Sequence, residues 1–288
     1  MALKEMLRGA LRAGGLAPDR CEAALAYLCA VIGPDTRLEL MRAAVPELML
    51  CFDTLTVEQA RAQLPKILLR AQCRLHAGQN RPSRWSQAQG RDTIDVAVAR
   101  MPYNAFFAVR EDDLTHPRFD GTRSALINRA AFMMGDAVSV MPYDPLRDRV
   151  LLVEQFRFAP YARGDAFPWV IEPVAGRIDL GETPEEAARR ECVEEAGLAL
   201  QELVACGQFY PSPGGVSEFM YSFVACVALP DDLAGFGGLE SEDEDIRTLL
   251  LSFDALMEMV DTGAVQNGVL LASALWLARH RDRLRRAV

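Results

Sequence analysis

The sequence predicts an α+β sandwich preceded by a small helical region. Three observations carry this. The first 76 residues repeat their apolar side chains at helical spacing, and residues 77–93 turn polar. From Ile94 onward, strands and helices then mix without the regular alternation of a doubly wound parallel sheet. At 288 residues the chain is long enough for one standard domain plus a smaller one. The reading is a helical N-terminal region over 1–76, a linker over 77–93 and a main domain over 94–288.

Composition narrows the function classes. Half the residues are apolar and a quarter are charged, which suits a soluble protein with a sizeable core. A formal net charge of −9 argues against non-specific nucleic-acid binding, which needs a basic surface. Small anions stay possible, because metal ions and a few arginines can invert the local field. The seven cysteines are odd in number, form no CxxC pair and sit mostly among apolar neighbours, so they read as reduced core residues. The opening MALKEMLRGALRAGG is amphipathic and lacks a signal-peptide core, and no apolar run reaches membrane-spanning length. A cytoplasmic protein, with no membrane partner, is the expectation.

In chain order, Met1, Leu3, Met6, Leu7 and Leu11 recur at helical spacing before Gly14-Gly15. Ala24, Leu25, Tyr27, Leu28 and Ile32 do so before Gly33-Pro34. A third helix runs through Leu38, Leu40 and Met41, and a fourth spans Thr56 to Leu75 with an expected kink at Pro65. Within the polar stretch, Trp85 is a candidate anchor onto a neighbouring surface. Ile94, Val96 and Val98 alternate as a strand, and Ala105–Val109 reads as a second strand after a Pro-Tyr-Asn turn. Three β-rich runs follow, punctuated by Gly135-Asp136 and Asp144-Pro145, the last spanning Val150–Phe156. Strands are expected again at Leu203–Phe209, Met220–Val227 and Ile246–Phe253, and a helix from Val265 to Ala287.

One stretch carries chemistry: EPVAGRIDLGETPEEAARRECVEEAGL, Glu172 to Leu198. Thr183, Pro184 and Glu186 supply an N-cap hydroxyl, a first-turn proline and the reciprocal glutamate of a capping box. Gly197 supplies the C-terminal stop. At roughly 100° per residue, Glu191, Glu194 and Glu195 share one face with Ala187 and Ala188 a turn earlier. Like charges at this spacing repel, costing about 0.2–0.5 kcal/mol per pair, and a hard cation reverses the sign. Carboxylate oxygens suit Mg²⁺ or Mn²⁺. Arg190 stands one turn from both Glu186 and Glu194, placed to pair with both and hold the acidic face in orientation. Gly176 and Gly181 bracket the short loop leading into the helix.

The spacing is Gly176, five residues, Glu182, seven residues, Arg190-Glu191-Cys192, one residue, Glu194-Glu195, one residue, Gly197-Leu198. With every fixed position filled, it resembles the signature box of the Nudix hydrolases. Residues from about Phe106 to His280 further resemble that family's ADP-ribose pyrophosphatases. This likeness rests on EQFR ending at Arg157, SPGG with Pro213 placed 16 residues after Gly197, and GLESEDEDIR from Gly238 to Arg247. Some relatives with this stretch are labelled tellurite-resistance proteins.

The resemblance implies a mixed sheet between helices, a Nudix-type α/β/α sandwich, in a homodimer. It implies metal ligation by Glu191, Glu195 and the Ala175 carbonyl, with Glu194 close by. Arg157 is implied at the substrate phosphates, Arg129 at the ligand across a dimer interface, and Glu218, beyond the Pro213 loop, at the terminal ribose. Glu242 and Glu244 match family glutamates acting as general base or extra ligand, although composition alone reads their loop as a solvated acidic segment. Glu182 and Arg190 complete the support of the box. The implied activity is Mg²⁺-dependent hydrolysis of ADP-ribose. Two alternatives stand beside it: a pyrophosphatase for another nucleoside diphosphate sugar, and a non-catalytic ADP-ribose-sensing module.

Overall fold

The fold is described here from a computed structural model, over residues 2–13, 18–32, 37–80, 84–86, 89–233, 235–238 and 244–287. The Gly14-Gly15 and Gly33-Pro34 stops and most of the acidic loop, including Glu242, lie outside them. The chain divides into two compact units. One comprises Met1–Gly135 and Ser212–Ser217, the other Asp136–Pro211 and Glu218–Val288.

In the first unit, four helices form where the apolar periodicity places them: α1 (Ala2–Ala13), α2 (Pro18–Val31), α3 (Leu38–Cys51) and α4 (Val57–Ala77). Leu7, Leu25, Leu28, Met41, Leu48 and Ile67 are fully buried in their common core. Thr56 and Gln59 close a reciprocal capping box at the start of α4, which stays helical on both sides of Pro65. Trp85 is 83% exposed, with the Arg84 guanidinium over its ring. It is thus mostly solvated.

The same unit holds an antiparallel sheet in the order β1 (Asp95–Asn104), β2 (Ala108–Thr115), β3 (Ile127–Met133). The expected Pro-Tyr-Asn turn is part of β1, and the chain reverses at Ala105–Phe107 instead. Pro102 is accommodated because β1 is an edge strand and its pairing slips between Arg100 and Tyr103, where no ladder N–H is required. The alternation of Ile94, Val96 and Val98 does not bury them; each remains exposed.

The second unit is a sandwich. Its sheet runs β10 (Phe236–Gly237), β11 (Ile246–Ser252), β5 (Arg149–Phe156), β4 (Ala137–Asp144), β9 (Met220–Cys226), β8 (Val204–Phe209), with β4 and β9 parallel. β4 and β5 pair only at Tyr143–Val150 and Asp144–Arg149, and then diverge. β6 (Trp169–Glu172) continues along β5 and β7 (Val174–Arg177) along β4, so the sheet forks around Pro173. Gly176 is accordingly a strand residue and not a loop bracket.

Both faces of this sheet are covered, which explains why β4 and β5 read as nearly continuous apolar runs. Val138, Val140, Leu151 and Val153 pack against α6 (Pro184–Ala196). The alternate residues Met141, Tyr143, Val150 and Leu152 pack against α7 (Phe253–Asp261) and α8 (Gly268–Arg286). α7 and the short α5 (Phe158–Arg163) were not legible in the sequence. The expected strand to Phe253 stops at Ser252, whose hydroxyl accepts from the Ala255 amide and caps α7. The last helix starts at Gly268 and not at Val265, because Asn267 caps it through the Leu270 amide. None of the seven cysteines is in a disulfide; Cys21, Cys51 and Cys192 are buried, while Cys29 is exposed.

Candidate active site

The acidic face begins with the caps of α6. Thr183 Oγ accepts from the Glu186 amide at 3.2 Å, and the Glu186 carboxylate returns to the Thr183 amide at 2.8 Å. Gly197 closes the helix in the left-handed conformation, at φ 64°. Ala187, Ala188, Cys192 and Ala196 are buried against the sheet, which turns Glu195 inward with them.

Glu195 is 2% exposed, and its carboxylate accepts from the Ala175 amide at 3.2 Å. It is the amide of Ala175, on β7, that meets this glutamate. Burial pushes the Glu195 carboxyl up to about 8, against that hydrogen bond and with the charges of Glu191 and Glu244 adding to the rise. Burial likewise raises Glu191 to about 7, opposed by Arg190. The charge of Glu244 raises both carboxyls, so the one described glutamate of the acidic loop belongs to this cluster. Two glycines permit the approach. A Cβ on Gly176 would lie 1.9 Å from Glu191 Oε1, and one on Gly237 would lie 2.1 Å from the Glu195 carbonyl oxygen. The Gly238 amide donates to the Glu194 carbonyl at 3.2 Å, tying the loop's start to the end of α6.

Arg190 orients the cluster with one of the two partners its spacing suggested, Glu194, and without the other. Glu186 is committed to the cap; Arg190 instead donates to Glu182 (2.9 and 3.0 Å), Glu191 (2.8 Å), Glu194 (2.9 Å) and the Arg177 carbonyl (2.8 Å). Its hydrogen bonds to Glu182 hold that carboxyl below the usual range and raise its own affinity for the proton.

The chemistry of this donor set fits a hard divalent cation. The donors are all oxygen, and burial makes their negative charge costly unless a cation accompanies it. Among the described residues, no three His, Cys, Asp or Glu side chains are arranged as a metal cluster. Arg190 Nη1 engages both Glu191 and Glu194 in this arrangement.

A cleft of about 860 Å³ opens in the same unit, lined by Arg157, Glu172, Tyr210, Glu218 and Asn267 among others. Arg157 follows β5 directly and donates to Glu172 Oε2 from Nε (3.0 Å) and Nη2 (2.6 Å); Asn267 donates to the other oxygen at 3.1 Å. Burial raises the Glu218 carboxyl, with Arg177 and Arg157 opposing. Glu172 and Asn267 were missed as site residues. A strand-end glutamate opening the EPVAG run and an N-cap asparagine were the available signals.

Arg129 and Pro213 fall in the other unit. Arg129 is exposed on β3, donating to the Asn128 carbonyl at 2.7 Å. The loop holding Pro213 hydrogen-bonds to β3 through Phe132, whose amide donates to the Gly215 carbonyl at 2.7 Å.

Residues 133–272 match the family model described as NUDIX domain. The ADP-ribose pyrophosphatase of Escherichia coli (strain K12) is 35% identical over 196 residues, covering 68% of this chain and 93% of that protein. The GDP-mannose pyrophosphatase of Enterobacter sp. (strain 638) is 35% identical over 180 residues, covering 62% and 91%. A crystal structure described as an ADP compounds hydrolase superposes with a TM-score of 0.50 at 20% identity, covering 68% of this chain and 98% of that one, a likeness of fold. A filled signature box on a capped helix, buried carboxylates beside it and this extent of identity together place the chain in the Nudix hydrolase family, in the subgroup of the ADP-ribose pyrophosphatases.

Proposed function

We propose that the protein hydrolyses the pyrophosphate linkage of ADP-ribose, giving AMP and ribose 5-phosphate. The observation that carries this is the buried pair Glu191 and Glu195, whose charge is costly without a cation, in the same unit as a cleft holding a guanidinium, Arg157. The 35% identity over 196 residues to an ADP-ribose pyrophosphatase supports the choice of substrate.

In this reading Glu191 and Glu195, with Glu194 and Glu244 beside them, would hold Mg²⁺ or Mn²⁺. Held there, such an ion would supply charge neutralisation at the pyrophosphate and a lowered pKa for a water. Arg157 grips phosphate oxygens, for which its planar fork is suited, while Glu172 fixes its angle. Glu244 or Glu242 takes the proton of the attacking water. The water oxygen bonds to phosphorus as the bridging phosphorus–oxygen bond breaks. Glu218 contacts the terminal ribose, and Arg129 and the Pro213 loop complete substrate selection, Arg129 from a second copy of the chain.

The test is Glu195→Gln, assayed for AMP release from ADP-ribose with Mg²⁺. We expect activity to fall by at least about 100-fold with an unchanged melting curve; full activity would refute the role of Glu195. The identity to a GDP-mannose pyrophosphatase favours a second reading, another nucleoside diphosphate sugar. Parallel assays of ADP-ribose, ADP-glucose and GDP-mannose, scored by kcat/KM and product identity, separate the two.

A further inference from the structure

The first unit contains a second concave site, far more basic than the chain's net charge of −9 suggests. It is a cavity of about 380 Å³ with walls from α3, α4 and the three-stranded sheet. Its floor is a buried charge cluster. Glu47, 2% exposed, accepts from Arg70 Nε (2.9 Å) and Nη2 (2.6 Å) and from Arg74 Nη1 (2.9 Å). Arg70 is itself 4% exposed. Two guanidinium groups thus share one carboxylate, so the three side chains together carry one net positive charge.

One donor of the cluster is left over. Arg74 spends Nε on the Ala43 carbonyl at 3.1 Å and Nη1 on Glu47, whereas its buried Nη2 has no acceptor among the described residues. A buried donor without a partner is uncommon and costly, because water has been removed and nothing has replaced it. Two more arginines line the cavity. Arg110 is held in place by Asp112, which accepts from its Nε and Nη2, and Arg91 has no carboxylate partner among the described residues. The remaining wall is apolar: Pro46, Leu50, Met101 and Met133.

We propose that this cavity is a binding site for a small organic phosphate. Several guanidinium donors around one concavity match the oxygens of a phosphoryl group, and Arg is the side chain suited to holding it. The apolar wall accommodates the organic body, and the volume lies within the usual range for small-molecule sites. Arg91 and Arg74, which both line the cavity, supply the primary contacts. The site is separate from the pyrophosphatase cleft, with which it shares no residue.

Calorimetric titration of the full-length protein tests this. The Arg157→Ala variant, which weakens phosphate binding in the cleft, is titrated with AMP, ribose 5-phosphate, inorganic phosphate and malonate, with and without Arg91→Glu. At least one organic phosphate is expected to bind Arg157→Ala, with inorganic phosphate and malonate about tenfold or more weaker. Adding Arg91→Glu is expected to weaken that binding by about tenfold or more, since hydrogen bonds to charged groups are worth that much. Arg91 is exposed, so this change leaves the fold intact. Arg74→Lys, which keeps the charge beside Glu47 but removes Nη2, is expected to do the same. Absence of organic phosphate binding to Arg157→Ala overturns the proposal. So does binding that Arg91→Glu leaves unchanged, or a preference for malonate.

Discussion

A methyl group on Gly176 would occupy the place of the Glu191 carboxylate. Gly176→Ala is therefore expected to displace that carboxylate by an ångström or so while leaving the buried faces of β7 and α6 in contact. The loss falls on activity, with kcat down on the order of 100-fold and little change in melting temperature. Steady-state kinetics beside a thermal melt checks it. Asp148 is a different case at the same scale. It adopts φ 55°, uncommon for a residue with a side chain, and is held there by hydrogen bonds from Tyr143, Arg281 and Arg285. The Arg281 hydrogen bond, against the cost of burial, depresses its carboxyl below the ordinary value. A depressed carboxyl contributes stability that is complete above its unfolded pKa, about 3.9, and is lost as pH falls through the folded value. Asp148→Asn is expected to cost about 1.5–3 kcal/mol at neutral pH and to flatten stability against pH below about 4, as read by urea unfolding across that range.

At the scale of elements, α6 was fully legible because its signals are local. Thr183, Pro184, Glu186 and Gly197 state both ends within the helix itself, and the structure places the caps there. Thr183→Ala is expected to cost about 1 kcal/mol and lower the melting temperature by about 2–4 °C, measured by circular dichroism. What was not legible depends on partners distant in sequence. Pro102 reads as a turn residue until β1 is known to be an edge strand. Arg190 can reach Glu186 by helical spacing alone, but the cap claims that carboxylate and β7 brings the Arg177 carbonyl into reach. Glu172 reads as the end of a strand until Arg157, 15 residues earlier, folds back beside it. α5 and α7 are too short for periodicity to announce them.

For the whole molecule, the boundary between units is not a single cut. The chain leaves the sandwich at Ser212, pairs with β3 through Gly215 and Ser217, and returns at Glu218. A chain starting at Asp136 therefore lacks the partners of the Pro213 loop, while one starting at residue 94 keeps them. We expect limited proteolysis to cut residues 212–217 faster in the shorter chain than in the longer one; equal rates would mean that pairing with β3 does not hold the loop in place. The sequence marked residues 77–93 as a polar break but could not reveal this crossing, which depends on hydrogen bonds between Phe132 and residues more than 80 positions later.

The forked sheet behaves as a caliper. Its pivot is the short pairing of Tyr143 and Asp144 with Val150 and Arg149; one jaw, along β5, ends at Arg157, and the other, along β7, presents Ala175 and Gly176 to the glutamates. A single residue, Pro173, is the spacer between β6 and β7. The gauge between the guanidinium and the carboxylates is thus machined into strand register. Lengthening the spacer by one residue would rotate every side chain of β7 to the opposite face, so the setting of Arg157 against the carboxylates is cut to the length of one proline.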